Sequence, residues 1–158
     1  MKPVMNLDEL EYKSHADGPF VGRYGEIGEK IGAEKLGYSL TICPPGKTVC
    51  PFHNHHINEE MFLILEGEGR LRFGKEEYPL RKHDVIACPP GGREVAHQII
   101  NTGEKDLIYL ALSTMKPHDI CEYPDSDKVG VFTGKHRKRN MRLLFKTGQA
   151  VDYFDGEF

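Results

Sequence analysis

The segment from Gly46 to Gly67, GKTVCPFHNHHINEEMFLILEG, gathers the side chains of this sequence best suited to chemistry. If Thr48 to His55 is extended, side chains alternate between faces, so His53 and His55 project to one side with Cα atoms about 6.7 Å apart. Two imidazoles at that separation can converge on one ion. A turn near His56 to Asn58 would return the chain antiparallel and set Glu60 beside them at the start of the next strand. One more ligand would complete a site. His56 has the opposite phase to His55 and is expected in the loop or in support of the site, and Glu59 is expected to point away.

The order Gly46, His53, His55, Glu60, Gly67 resembles the first motif of the cupin superfamily, and Asp84, Pro89, Gly91, His97 and Asn101 in HDVIACPPGGREVAHQIIN resemble the second. This resemblance implies that His97 is the last ligand, giving a metal site of His53, His55, Glu60 and His97. Two positions depart from the pattern. His83 stands where a glycine is usual before Asp84, and the loop from Gly91 to His97 is longer than usual, at the mouth of the expected barrel. Three neutral imidazoles and a carboxylate leave positions open on a six-coordinate ion for water or for two substrate oxygens. One divalent ion per chain is expected, and Fe, Mn, Ni and Zn all accept these ligands.

A wider pattern, LGYSL, PPGK, PFHNHHINEE and EYPDSDK, resembles the sugar-phosphate-isomerase-like group of single-domain bacterial cupins over residues 30–133. What this implies is an enzyme whose ion polarises a carbonyl or enediol-like oxygen pair of a small polar substrate. Isomerisation also needs a proton-transfer base, for which Glu94 and Tyr78 are positional choices. Phe62 shares a strand face with Glu60 and is expected to meet the substrate. Arg93, in the lengthened loop, is expected to hold an anionic substrate through its planar guanidinium. The same ligands would serve an Fe(II)-dependent dioxygenase, or a non-catalytic module that binds a small ligand through the metal.

The elements that must position these residues read as short strands. From Gly37 onward YSLTIC, TVCPFHNH, EMFLILEG, RLRFG, EYPLR, DVIAC, EVAHQII and DLIYLALS carry period-two character, broken by Pro44-Pro45-Gly46 and Pro89-Pro90-Gly91-Gly92. This spacing predicts an all-β jelly-roll barrel over residues 37–134, after an irregular N-terminal arm, residues 1–36, in which Ile27 to Leu36 allows one helical turn. Residues 135–158 are expected to dock on the barrel as an extension. Asn101-Thr102-Gly103 reads as a hairpin connection and Pro124 to Asp127 as a turn. Glu60 to Leu65 is apolar on both faces, so Met61, Leu63 and Leu65 need a cover: a second sheet, the arm or another subunit. A homodimer is expected.

A chain of 158 residues fits one domain, which at this size buries roughly 70% of its unfolded surface. The net charge of −3 gives no footing for nucleic acid or a membrane surface. KHRKR, Lys135 to Arg139, is read as a solvated turn, with an anion or subunit contact as its other use. No run reaches the roughly 18 apolar residues of a membrane span, and the charged start lacks a leader-like apolar region, so a cytoplasmic protein is expected. Without a Cys-x-x-Cys pair, Cys43, Cys50, Cys88 and Cys121 are expected to be reduced and mostly buried. Cys50 is nearest the histidines in sequence.

Overall fold

In the computed structural model, which describes residues 2–135 and 138–158, short alternating runs become strands. In chain order these are β1 (Lys13–Asp17), β2 (Phe20–Glu26), then a helical turn α1 (Gly28–Ile31), β3 (Leu36–Cys43), β4 (Asn54–His55), β5 (Glu60–Glu66), β6 (Glu68–Phe73) and β7 (Glu76–Arg81). There follow β8 (Val85–Cys88), β9 (His97–Ile100), β10 (Leu107–Thr114), β11 (His118–Tyr123), β12 (Lys128–Lys135) and β13 (Lys138–Lys146). One sheet has the order β1-β2-β3-β10-β5-β8, a second β13-β12-β11-β4 and a third β7-β6-β9. Bridges Thr48↔Ile100 and His53↔His97 tie the chain before β4 to β9, so the second and third sheets continue one another. The protein is mostly β, with the jelly-roll arrangement expected.

The period of two sorts the core. On β10, Leu107 and Tyr109 are buried with Phe62 and Ile64 of β5, Leu71 of β6, Leu80 of β7, Ile86 of β8 and Ile99 of β9. Ile108 and Leu110, of opposite phase, join Leu65 against Leu10, Ile27 and Leu40. The N-terminal segment therefore covers part of the outward face of β5. It is less irregular than its scattered glycines suggest, because β1 and β2 pair as a hairpin and β2 extends the sheet beside β3. The glycines fit that hairpin for a steric reason: a Cβ on Gly22 or Gly25 would come within 2.5 Å of Val49 or Leu10. The single helical turn expected after Ile27 is present.

Asn101-Thr102-Gly103 is not a hairpin connection. β9 pairs with β6, while β10 pairs with β3 and β5, so the chain crosses between sheets here. The fully buried Asn101 makes that crossing rigid: Nδ2 donates to the carbonyls of Cys43 and Lys105 at 2.7 and 2.8 Å, and Oδ1 accepts from the Gly103 amide at 2.9 Å. Pro124 to Asp127 is the turn expected, between β11 and β12. In the KHRKR cluster, His136 and Arg137 lie outside the described residues; Lys138 and Arg139 begin β13, which runs along β12 as an added edge strand.

Gly67 at φ 85° needs to be glycine, since a Cβ there would sit 2.5 Å from the Asp106 carbonyl oxygen. His83 meets the same kind of demand without being one. It takes φ 75° in the turn from β7 to β8, where its amide donates to the Ile64 carbonyl at 2.8 Å and Asp84 Oδ2 accepts from the Arg81 amide at 2.8 Å. A side chain in the left-handed region is strained. His83→Gly is therefore expected to raise stability by about 0.5–1 kcal/mol, seen as a higher urea midpoint with an unchanged slope.

Candidate metal centre

The alternation that sorts the core also aims the histidines. Asn54 is fully buried, its Nδ2 donating to the Gly91 carbonyl at 2.8 Å, and this fixes the strand phase that turns His53 and His55 the other way. The bridge between His53 and His97 brings their ring centroids to 4.7 Å, and His53 and His55 lie at 5.1 Å. Glu60, at the start of β5, faces all three. Its Oε2 lies 3.1 Å from His97 Nε2, 3.5 Å from His55 Nε2 and 3.7 Å from His53 Nε2. The four side chains singled out from the sequence are thus brought to one point.

The far side of each ring explains what that point can hold. The Nδ1–H of His53 donates to the Pro51 carbonyl at 2.9 Å, that of His97 to the Val95 carbonyl at 3.2 Å, and that of His55 to Asp119 Oδ2 at 2.6 Å. With the protons committed outward, three Nε2 lone pairs and a carboxylate oxygen face one another. Such a focus of acceptors is met by protons or by a cation. Burial would push the Glu60 carboxyl up, but hydrogen bonds to His53 and His97 and the charge of His55 hold it well below the usual range. Burial would likewise lower the His53 pKa, but Cys50 and Glu60 beside it raise it well above the ordinary imidazole value. A divalent ion satisfies all four donors at once, and their chemistry suits a first-row metal.

Asp119 is the residue of this centre that the sequence reading missed. It is 3% exposed on β11 and accepts from four donors: His55 Nδ1, Asn58 Nδ2 at 2.6 Å, and the amides of Ile57 and Ile120 at 3.2 and 2.9 Å. Burial would raise its pKa, but the hydrogen bonds from His55 and Asn58 keep it lowered, so it remains a carboxylate. Asn58 is held in turn by Thr114 Oγ1 and the Lys116 amide, at 3.0 and 2.9 Å from its Oδ1. The available signal was the phase of DICEY, in which Asp119, Cys121 and Tyr123 share one face.

A second trio, His55, Asp119 and Cys121, also gathers potential ligand atoms. Its chemistry is poorer. His55 Nδ1 is already bonded to Asp119, and burial, with the charges of Asp119 and Glu60, pushes the Cys121 thiol far up, so the sulfur stays protonated. All four cysteines are free thiols, and Cys43, Cys88 and Cys121 are buried.

The centre opens into a cavity of about 590 Å³, whose lining includes His53, His55, Glu60, Asp119, Tyr123, Phe132, Arg139 and Arg142. Tyr123 stacks on His53 with ring centroids 6.2 Å apart. Phe62 packs against His97 at 5.9 Å from beneath and is buried in the core. The remaining choices made from sequence lie elsewhere. Tyr78 is half exposed on β7, beside Arg70 and Glu77 on a different surface. Glu94 turns back to accept from the Gly92 amide at 2.9 Å. Arg93 donates to Glu122 at 2.7 Å and Asp127 at 3.0 Å, outside the cavity lining. His56 also reaches Glu122, at 2.8 Å.

Among known proteins, residues 39–113 match the cupin domain family. An uncharacterized protein of Methanocaldococcus jannaschii is 36% identical over 90 residues, 57% of this chain and 62% of that protein. The chain spans between 50% and 62% of the curated relatives it matches. Two solved structures superpose on nearly all of it. A protein of Acidithiobacillus ferrooxidans, provisionally named a sugar phosphate isomerase, gives a TM-score of 0.83 at 24% identity, covering 96% of both chains. A sugar phosphate isomerase of the cupin superfamily from Silicibacter pomeroyi gives 0.80 at 21% identity, covering 97% of this chain and 98% of that one. At these identities the likeness is one of fold.

Replacing the carboxylate behind His55 tests the arrangement. Asp119→Asn is expected to weaken Zn(II) or Mn(II) binding about 10- to 100-fold, measured by competition with a chelator. His56→Ala is expected to leave that affinity unchanged.

Proposed function

We propose, on the premise of the cupin domain matched over residues 39–113, that the chain is a metal-dependent enzyme acting on a small, polar, anionic sugar-like substrate by an isomerase-type proton transfer. The observation that carries this reading is the convergence of His53, His55 and His97 Nε2 on Glu60 Oε2, with every Nδ1–H held from outside. His53, His55, Glu60 and His97 would hold one divalent ion, Fe, Mn, Ni or Zn. When bound there, such an ion supplies Lewis acidity to a carbonyl or to a pair of adjacent oxygens.

The chain's own residues supply the rest. Asp119 keeps His55 in one tautomer and one orientation. Tyr123 and Phe132 wall the cavity and displace water from the reacting carbons. A cavity of about 590 Å³ suits a substrate of monosaccharide size. Glu60, Asp119 and Glu26 are the carboxylates lining it among the described residues. Glu60 faces the imidazoles and Asp119 holds His55, and to Glu26, which lines the cavity from the end of β2, we assign proton transfer between adjacent carbons. Glu94 and Tyr78 lie outside the lining and do not fit that role.

In this reading the arm, residues 1–36, and the extension, residues 135–158, are walls of one working unit with the barrel, residues 37–134. A second copy of the chain would cover what the arm leaves open: Val85, 64% exposed, pairs with Leu63 on the outward side of β5. The four free thiols suit the reducing cytoplasm. No helix among the described residues is long and apolar enough to cross a membrane.

Proton transfer leaves an isotopic trace even when the substrate is poor. Protein purified without chelators and incubated in D₂O with aldose and ketose phosphates is expected to incorporate deuterium at the carbon beside the carbonyl. Chelation should abolish exchange, and Glu26→Gln should lower it at least about 100-fold with bound metal unchanged. Metal-loaded protein that exchanges no deuterium into any of these sugars, yet binds and releases them intact, would make it a binding module.

A further inference from the structure

Among the described residues, several arginines are held by carboxylates. Arg72 is bound in bidentate fashion by Asp125, at 2.6 and 2.8 Å, and Arg93 by Glu122 and Asp127. Arg139 and Arg142 on β13 differ. Both line the cavity, and neither has a carboxylate within ion-pair distance among the described residues. Arg139 is anchored through neutral groups alone, with Nη1 donating to the Gly134 carbonyl at 3.1 Å and the guanidinium 5.6 Å from the centroid of the Phe132 ring.

The sheet order says how far these charges stand from the metal centre. β13, β12, β11 and β4 lie side by side, and the cross-strand partners Asp119, Phe132 and Arg142 form one row on the cavity face. His55 pairs with Cys121, two residues from Asp119 on that same face. Three strand spacings separate β4 from β13, about 14 Å, and an arginine side chain reaches back over part of that distance. The register shift between Thr133 and Gly134 sets Arg139 opposite Gly134, so that it lines the cavity with Arg142. Phe132, between the arginines and the centre, is an apolar wall that concentrates their field.

We propose that Arg139 and Arg142 form an anion subsite for a phosphate monoester, so that the substrate is an extended polyhydroxy chain with its oxygens at the metal centre and its phosphate at β13. Two guanidinium forks that have no carboxylate partner among the described residues match a tetrahedral dianion, which accepts bidentate bonds from each. The extension after the barrel thereby sets specificity, and the role expected of Arg93 passes to residues on the opposite edge of the second sheet. This rests on the metal-dependent reading above and names its substrate class.

The test uses sorbitol 6-phosphate, a phosphate monoester that cannot isomerise, with sorbitol as its uncharged counterpart, both followed by calorimetry on the full chain. Metal-loaded wild type is expected to bind sorbitol 6-phosphate at least about tenfold more tightly than sorbitol, and Arg142→Gln to remove that difference. Arg139→Gln should do the same, while the exposed Arg142 provides a variant that does not disturb the Gly134 contact. Metal content and melting temperature should match wild type. Equal affinity for sorbitol 6-phosphate in wild type and Arg142→Gln, or no binding of it by metal-loaded wild type, overturns the subsite. Chelated protein separates the two readings. If it binds sorbitol 6-phosphate through the arginines as tightly as loaded protein does, the subsite stands and metal-dependent recognition falls. If binding needs the metal and not the arginines, the subsite falls and the metal centre stands.

Discussion

Three imidazole nitrogens and one carboxylate oxygen, all acceptors, are pressed toward a single point between two sheets, and most of the structure near them exists to keep them there. Each ring is held from behind, His53 and His97 by backbone carbonyls and His55 by Asp119. Left to itself such a cluster would be repulsive, and burial would make it more so. It is tolerated because a cation, or protons in its place, can occupy the focus. The donors behind the rings decide which nitrogen faces inward, so the centre depends on its outer hydrogen bonds as much as on its four ligands.

The sheets carry out the positioning by register. A one-residue slip of the chain before β4 would turn His53 and His55 to the wrong face and expose Asn54, whose Nδ2 donates to the Gly91 carbonyl in the present phase. β11 must lie beside β4 for Asp119 to meet His55, and the β11–β12 hairpin is fastened from outside. Arg72 grips Asp125 at its turn while stacking 3.8 Å above Phe52, and Arg93 grips Glu122 and Asp127. These exposed pairs are individually weak. Their geometric effect is to link the β11–β12 turn to β6 and to the loop before β9, which borders the same centre.

Much of this was legible in the sequence because it is local. The phase of His53 and His55, the position of Glu60 after a turn, and the alternation on β5 and β10 are all consequences of a period of two over a few residues. What escaped was long-range. The glycines of the arm read as breakers, whereas Gly22 and Gly25 are required where Val49 and Leu10 pack onto the hairpin. Asn101 has the residues of a hairpin turn around it, but its buried amide spans two carbonyls at a crossing between sheets. Arg93 is near the ligands along the chain and still faces Glu122 and Asp127, while Arg139 and Arg142, far away in sequence, line the cavity. The phase of DICEY marks Asp119 as inward-facing, but its role comes from the long-range pairing of β11 with β4.

X-ray absorption at the edge of the bound metal tests the centre most directly, on protein loaded with one equivalent of Zn(II) or Mn(II). Three imidazoles and a carboxylate should give a first shell of nitrogen and oxygen only, at about 2.0–2.2 Å, with the outer scattering of imidazole rings. A sulfur neighbour at about 2.3 Å would bring a cysteine, Cys121 or the cavity-lining Cys50, into the shell and would contradict a centre made of His53, His55, Glu60 and His97.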